Sequence, residues 1–374
     1  MKIMFVDPAE SSLFSFRKEL LDTLIQEGHD LVLCIESTQK IVDEYAHSLK
    51  IIDVPMNLKD KSIFSNLKLK KTYKKIIKEE KPDLILSYKI KPNIYCGLYA
   101  KNTPMIANIT GLGNMFKNNG ILSKIGIFLY RKSFKNVDWV FFQNNDGLDF
   151  FKANKIKINN YKIIPGSGVN LEKFPLMPLN KENTIVNFLF ASRAIKEKGF
   201  DLFIQVIPCI LAKYHNVHFN FLSAEEDVMA NTAARPVFEK YQNNITIIPR
   251  TDNMASLYGQ NDFLVSPSYY REGISNVLLE SLACGRPIIT TKDNPGCMEV
   301  LQDGKNGLGV LSDDIDSLLL AMEKAIHFTK TEIEIMGLAG RHFVEHNFDR
   351  QSVIKEYLTT IKSIELNSKK FKEV

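Results

Sequence analysis

At 374 residues the chain is too long for one compact core and suits two domains. With 45% hydrophobic and 24% charged residues it reads as a soluble globular protein, and no run of eighteen apolar residues spans a membrane. The net charge of +5 divides unevenly: residues 1–180 hold 27 Lys and Arg against 18 Asp and Glu, the remainder 21 against 25, so the first half is the one expected to meet an anionic partner. The five cysteines (34, 96, 209, 284, 297) are odd in number, form no Cys-x-x-Cys pair, and read as small buried residues in a reducing cytoplasm. The opening Met1-Lys2-Ile3-Met4-Phe5-Val6 is too short an apolar run for a signal peptide and reads as a strand.

Strand and helix patterns then alternate. A helix is predicted over 12–27 and a strand over 31–35. A strand over 51–54 precedes a lysine-rich helix over 64–80. Strand 84–87, a helix from Pro92 to Ala100, strand 104–109, a glycine loop (110–120), helix 121–135 and strand 139–143 follow. Residues 171–184 break the rhythm with two prolines and a polar end. The alternation resumes with strand 185–191, helix 199–214 and strands 217–222, 244–248, 262–265 and 287–290. Helices run from 313 onward, the last being amphipathic over 349–363. Parallel strands joined by helices of this length call for a doubly wound sheet in each half.

The stretch from Arg271 to Ile289 (Arg-Glu-Gly-Ile-Ser-Asn-Val-Leu-Leu-Glu, then Ser-Leu-Ala-Cys-Gly-Arg-Pro-Ile-Ile) reads as loop, helix, stop and strand. Ser275 and Asn276 are suitable N-caps, and Gly285 with Pro287 ends the helix. The strand 262–265 delivers its loop onto this helix start, where free N–H groups and the positive helix end suit an anion. Glu272 stands at the mouth of the crevice, with Glu280 about two turns deeper.

Two glutamates separated by seven residues, the first followed by glycine, with the continuation Leu-Ala-Cys-Gly-Arg-Pro and then Asn294-Pro295-Gly296, resemble the signature of glycosyltransferase family 4. The resemblance implies an α/β GT-B fold of two Rossmann-like domains facing a central cleft. It implies an acceptor domain over 1–174, a linker over 175–184, a nucleotide-sugar domain over 185–348 and a segment 349–374 that crosses back onto the first domain. It also implies retaining transfer of a hexose or N-acetylhexosamine from a nucleotide-diphosphate sugar, expected to be UDP-linked. The family's arginine and lysine, five positions apart, match Arg193 and Lys198, which would stabilise the departing diphosphate. Glu272, Lys198 and Arg193 are then the expected catalytic residues. Gly273, Ile274, Ser275, Asn276, Glu280 (on the ribose) and Arg250 are expected to bind the donor.

Near the acceptor, the loop Thr110-Gly111-Leu112-Gly113 and Ser11 are expected to line the cleft. Thr110 stands where many family members carry histidine, and Pro8-Ala9-Glu10-Ser11-Ser12 replaces the family's first glycine pair. A Gly-Leu-Gly loop resembles a branch of bacterial surface-saccharide transferases, so the acceptor is expected to be a saccharide, lipid-diphosphate-linked, in envelope assembly. Neither cofactor nor metal is expected. Asp314-Ile315-Asp316 reads as a helix start and His342-Phe343-Val344-Glu345-His346 as a helix face, although each formally resembles a metal motif. The loop at 110 lacks the third glycine and downstream acid of a dinucleotide fingerprint. A nucleotide-sugar epimerase of the same fold and a catalytically silent nucleotide-sugar-binding protein are the rival readings.

The helix with Lys68, Lys70, Lys71, Lys74, Lys75 and Lys78 has Ile63, Phe64, Leu67, Leu69, Tyr73, Ile76 and Ile77 as its apolar side. A solvated face on a packed helix and an anionic membrane surface are both open, with helix 121–135 adding Ile125 and Phe128 to such a contact. Nucleic acid is not expected, for lack of an aromatic stacking platform. The expected location is cytoplasmic, peripheral on the inner face of the membrane.

Overall fold

The computed structural model describes residues 1–55, 62–113, 116, 120–223, 225–271 and 273–372. The chain forms two units, one of Met1–Ser167 with Ser352–Val374, the other of Gly168–Gln351.

In the first unit the order is β1 (Lys2–Val6), α1 (Glu10–Phe16), α2 (Lys18–Gln26), β2 (Asp30–Ile35), α3 (Gln39–Tyr45), β3 (Lys50–Asp53), α4 (Ile63–Glu80), β4 (Leu84–Tyr88), α5 (Ile90–Gly97), β5 (Met105–Ile109), α6 (Ile121–Ser133), β6 (Trp139–Phe142), α7 (Asn145–Ala153) and β7 (Asn160–Ile163). The sheet is parallel in the order β3-β2-β1-β4-β5-β6-β7. Its central strands β1, β4 and β5 are buried on both faces, which is why they read as apolar runs, whereas the edge strands β3 and β7 are largely exposed. On one face α4, α5, α6 and α7 close a core around Tyr73, Ile94, Tyr130 and Phe151. On the other, α1 to α3 pack with Val353, Ile354, Tyr357 and Ile361 of the last helix.

The second unit runs β8 (Val186–Phe190), α8 (Phe200–Leu211), β9 (Val217–Leu222), α9 (Glu225–Met229), α10 (Ala234–Lys240), β10 (Ile245–Ile248), α11 (Met254–Gly259), β11 (Phe263–Ser266), α12 (Asn276–Ala283), β12 (Ile288–Thr291), α13 (Pro295–Met298), β13 (Gly307–Val310), α14 (Ile315–Ile326) and α15 (Lys330–Asn347), with α16 (Arg350–Lys372) leading into the first unit. Its parallel order is β10-β9-β8-β11-β12-β13. Strand order reverses between β8 and β11 here, and between β1 and β4 in the first sheet. Such a switch point opens a crevice at the carboxyl ends of the strands.

Four features depart from the expectations. The helix predicted over 12–27 is broken at Arg17, whose backbone leaves the helical region (φ −137). The break turns its guanidinium inward, where it donates to Ser12 Oγ at 2.8 Å, lies 3.3 Å from Asp7 and stacks over Tyr88. On α4, Leu69, Tyr73, Ile76 and Ile77 are buried, but Phe64 and Leu67 are exposed. Cys209 is exposed, unlike the other four cysteines. Residues 177 and 178, inside the expected linker, are fastened to the second unit by the buried Arg286, which donates to the carbonyls of Met177, Pro178, Gly259 and Asn261 at 2.6–3.0 Å.

Candidate functional site

The loops that follow β8 and β11 flank the switch point of the second sheet, and they are stitched together. After β8 the chain passes Arg193 and makes a 3-10 turn at Lys196–Lys198, closed by Gly199 in the left-handed region (φ +74) as it enters α8. Glycine is required there. A β-carbon would lie 2.3 Å from the carbonyl oxygen of Pro267 in the loop after β11. The Glu197 carbonyl accepts from the Tyr269 N–H at 3.0 Å. Behind this loop, Thr290 donates to Ser266 O at 2.8 Å, Thr291 to Ser268 O at 2.7 Å, and Asn294 Nδ2 to the Ser268 and Tyr270 carbonyls at 2.7 and 3.1 Å. Buried side chains of β12 and the next turn thus hold the segment ahead of α12 in one conformation.

That segment presents Tyr270 to both cations. The Lys198 ammonium lies 5.3 Å from the ring centroid and the Arg193 guanidinium carbon 5.9 Å. Lys198 is buried, whereas Arg193 is exposed. Tyr270 stands three residues before Gly273, so the cations and the start of α12 share the carboxyl end of adjacent strands. Glu272 lies outside the described residues. Gly273, Ile274 and Ser275 are buried, and Asn276 opens the helix. Ser275 occupies the N-cap position as expected, but makes no side-chain capping bond; its N–H points to Gly296 O at 3.4 Å. Leu278, Leu279, Leu282 and Ala283 bury one side of α12.

Glu280 sits half-buried on α12 and accepts from the Tyr258 hydroxyl at 2.9 Å. Burial pushes its carboxyl up to about 7. The Tyr258 hydrogen bond and the charges of Arg350 and Lys173 pull the other way. Arg250 is exposed beyond the end of β10, two strands from β8.

In the first unit Thr110 follows β5, half-buried, with Gly111 and Gly113 at positive φ (+120 and +62). Ser11 is exposed in the first turn of α1. Its neighbour Ser12, buried, is the serine engaged by Arg17. A buried polar chain that the sequence did not announce joins Ser87 to Asn93 at 2.6 Å, Asn93 to Asn108 O at 2.8 Å and Tyr357 of α16 to Asn108. Sequence reasoning also missed Tyr270, Tyr258 and Thr291. The local string Tyr269-Tyr270-Arg271 held only the first of them, and its partners lie on another loop.

Asp314 caps α14, accepting from the Ser317 N–H at 2.8 Å. On α15, Glu345 pairs with Arg341 at 2.5 Å and His346 meets the His342 carbonyl at 2.8 Å. Among the described residues no cluster of His, Cys, Asp and Glu is arranged to hold a metal ion, and no helix is long and apolar enough to cross a membrane.

Two parallel sheets with switch-point crevices place the molecule in the GT-B class of two Rossmann-like domains. Solved structures agree. Sucrose-phosphate synthase from Thermosynechococcus elongatus superposes with a TM-score of 0.81 at 15% identity, covering 98% of this chain and all of that one. Anabaena Alr3699/HepE, in complex with UDP and glucose, gives 0.75 at 13% identity over 97% of this chain and 100% of its own. The description "Glycosyl transferases group 1" matches residues 186–327 and "Glycosyl transferase 4-like" matches residues 2–144. The chain belongs to this glycosyltransferase family. Among curated relatives, the N,N'-diacetylbacillosaminyl-diphospho-undecaprenol alpha-1,3-N-acetylgalactosaminyltransferase of Campylobacter jejuni is 24% identical over 97% of this chain and its own full length.

Proposed function

We propose that the protein is a retaining, metal-independent transferase that moves a hexose or N-acetylhexosamine from a UDP-linked donor to a lipid-diphosphate-linked saccharide. The observation that carries the donor half is the Tyr270 cluster, which holds two cations beside the helix start at the switch point of the second sheet. The donor diphosphate lies against Arg193, Lys198 and the N–H groups of Gly273 to Asn276, where preformed positive charge stabilises the leaving nucleotide without rearrangement. Glu280 takes the ribose hydroxyls in place of Tyr258, and Glu272 orients the sugar. The departing phosphate takes the acceptor proton, so no separate base is required.

The acceptor is assigned to the first domain, whose basic balance suits a diphosphate-bearing substrate. The lipid-linked acceptor in the name of the Campylobacter relative, and the UDP bound by HepE, support both substrate classes. Such an acceptor brings the enzyme to an anionic membrane surface, and the lysine-rich α4 is its electrostatic contact. Release of UDP from a UDP-sugar in the presence of EDTA, dependent on a lipid-diphosphate saccharide, tests the reading. Release that requires a divalent metal, or a donor sugar that is epimerised without transfer, would overturn it.

A further inference from the structure

Helix α6 faces the wrong way for a helix whose large apolar side chains serve the core. It buries Ser123, Gly126, Tyr130 and Ser133, and leaves Ile121, Leu122, Ile125 and Phe128 at 50–77% exposure. The small inward residues let it approach α5 closely; a β-carbon at Gly97 would lie 3.2 Å from that of Ser133. On α4 the first two turns do the same, with Phe64 at 84% and Leu67 at 48% exposure. Helix α5 packs against both α4 and α6 on one face of the sheet. Each helix starts at the carboxyl end of a parallel strand, so the exposed apolar residues of α4 and α6 gather at the same end of this domain.

Charge is graded along both helices. Beyond the apolar turns come Lys68, Lys71, Lys74 and Lys75 on α4, and Arg131 and Lys132 on α6, all exposed; Lys124, also exposed, is the one cation within the apolar turns of α6. Helix α6 has no acid. The acids of α4 are Glu79 and Glu80 in its last turn, and Glu80 is paired with Lys2 and Lys50. An apolar tip backed by cations of one sign complements a bilayer with anionic headgroups, not a mixed-charge protein surface.

We propose that this end of the first domain inserts into an anionic lipid bilayer, with the first two turns of α6 as the inserted element and the α4 lysines at headgroup level. The proposal rests on the lipid-linked acceptor reading for its purpose and makes α6, with α4 beside it, the inserted element. In flotation of the full chain with vesicles, phosphatidylglycerol should carry the protein and phosphatidylcholine should carry far less. Ile125→Ser with Phe128→Ser should lower partitioning about 10- to 100-fold, with the circular dichroism spectrum and UDP release on a short-chain soluble acceptor unchanged. Lys71→Gln, Lys74→Gln and Lys75→Gln together should erase the preference for phosphatidylglycerol while leaving the weak common binding.

Equal flotation with both lipids, or unchanged flotation of the α6 variant, would overturn the proposal. So would a concentration-dependent dimer that Phe128→Ser dissolves, which would make the face a protein interface. Intact, α6-dependent flotation in a chain that releases no UDP would support the bilayer contact and strike the transferase reading instead.

Discussion

Replacing Lys198 by alanine separates a catalytic charge from a structural one. In the fold the ammonium is buried against the Tyr270 ring at 5.3 Å, a contact worth about 1–2 kcal/mol. Losing it should lower the thermal midpoint by only a few degrees for a unit of this size, about 2–4 °C per kcal/mol. On the proposed reading, the same ammonium faces a diphosphate gaining negative charge in the transition state. Loss of one preorganised donor of this kind costs about 10²–10³-fold in turnover. Lys198→Arg should recover part of the rate, since the charge is kept but its position shifts. The assay is steady-state UDP release at saturating donor, with melting followed in parallel. Near-native turnover in Lys198→Ala would refute the role. Collapse of the fold in that variant, with Lys198→Arg fully active, would show that the side chain is structural.

Two further predictions follow from the same crevice. A carboxyl raised to about 7 at Glu280 gives up its proton only around neutrality, and ribose hydroxyls need an ionised acceptor. Donor affinity should therefore rise with pH through about 7 in the wild type and lose that dependence in Glu280→Gln, read from KM across a pH series. The stability sign is opposite. The native state holds the Glu280 proton more tightly than the unfolded chain, so its contribution falls as pH rises from 4.5 to about 7, and the melting advantage of Glu280→Gln should grow over that window. Both cations lie within 6 Å of the Tyr270 ring centroid. Tyr270→Phe should keep turnover within a few-fold, whereas Tyr270→Leu should cost about tenfold or more, from an interaction of about 1–2 kcal/mol. Equal effects of the two substitutions would discard the ring as a positioning group.

Most of the two-sheet architecture was legible because doubly buried parallel strands leave unbroken apolar runs, as at Leu84–Tyr88 and Phe263–Ser266. The strand Gly307–Val310 was not. Two glycines erase the strand signal, yet Gly307 is required, since a β-carbon would fall 2.1 Å from Ile288 O on β12. Short elements such as α3, α7 and α13 carry too few turns for a periodic pattern. The break at Arg17 was hidden for a different reason, because its partners are Asp7, just past the end of β1, and Tyr88, at the end of β4. The same holds at the site. The local spacing of Glu280, Arg193 and Lys198 could be read in the sequence, but the contact of one ring with both cations depends on two loops more than seventy residues apart meeting at a strand reversal.

On the proposed reading, Arg193, Lys198 and the start of α12 grip a nucleotide's diphosphate without a metal ion. Calorimetric titration of UDP in EDTA measures this directly. The wild type should bind, and affinity should fall about 100-fold or more when Arg193→Ala and Lys198→Ala are combined, from two charge-assisted contacts of about 1.5–3 kcal/mol each. Undiminished UDP affinity in the double variant, or binding in the wild type only after a divalent metal is added, would contradict it.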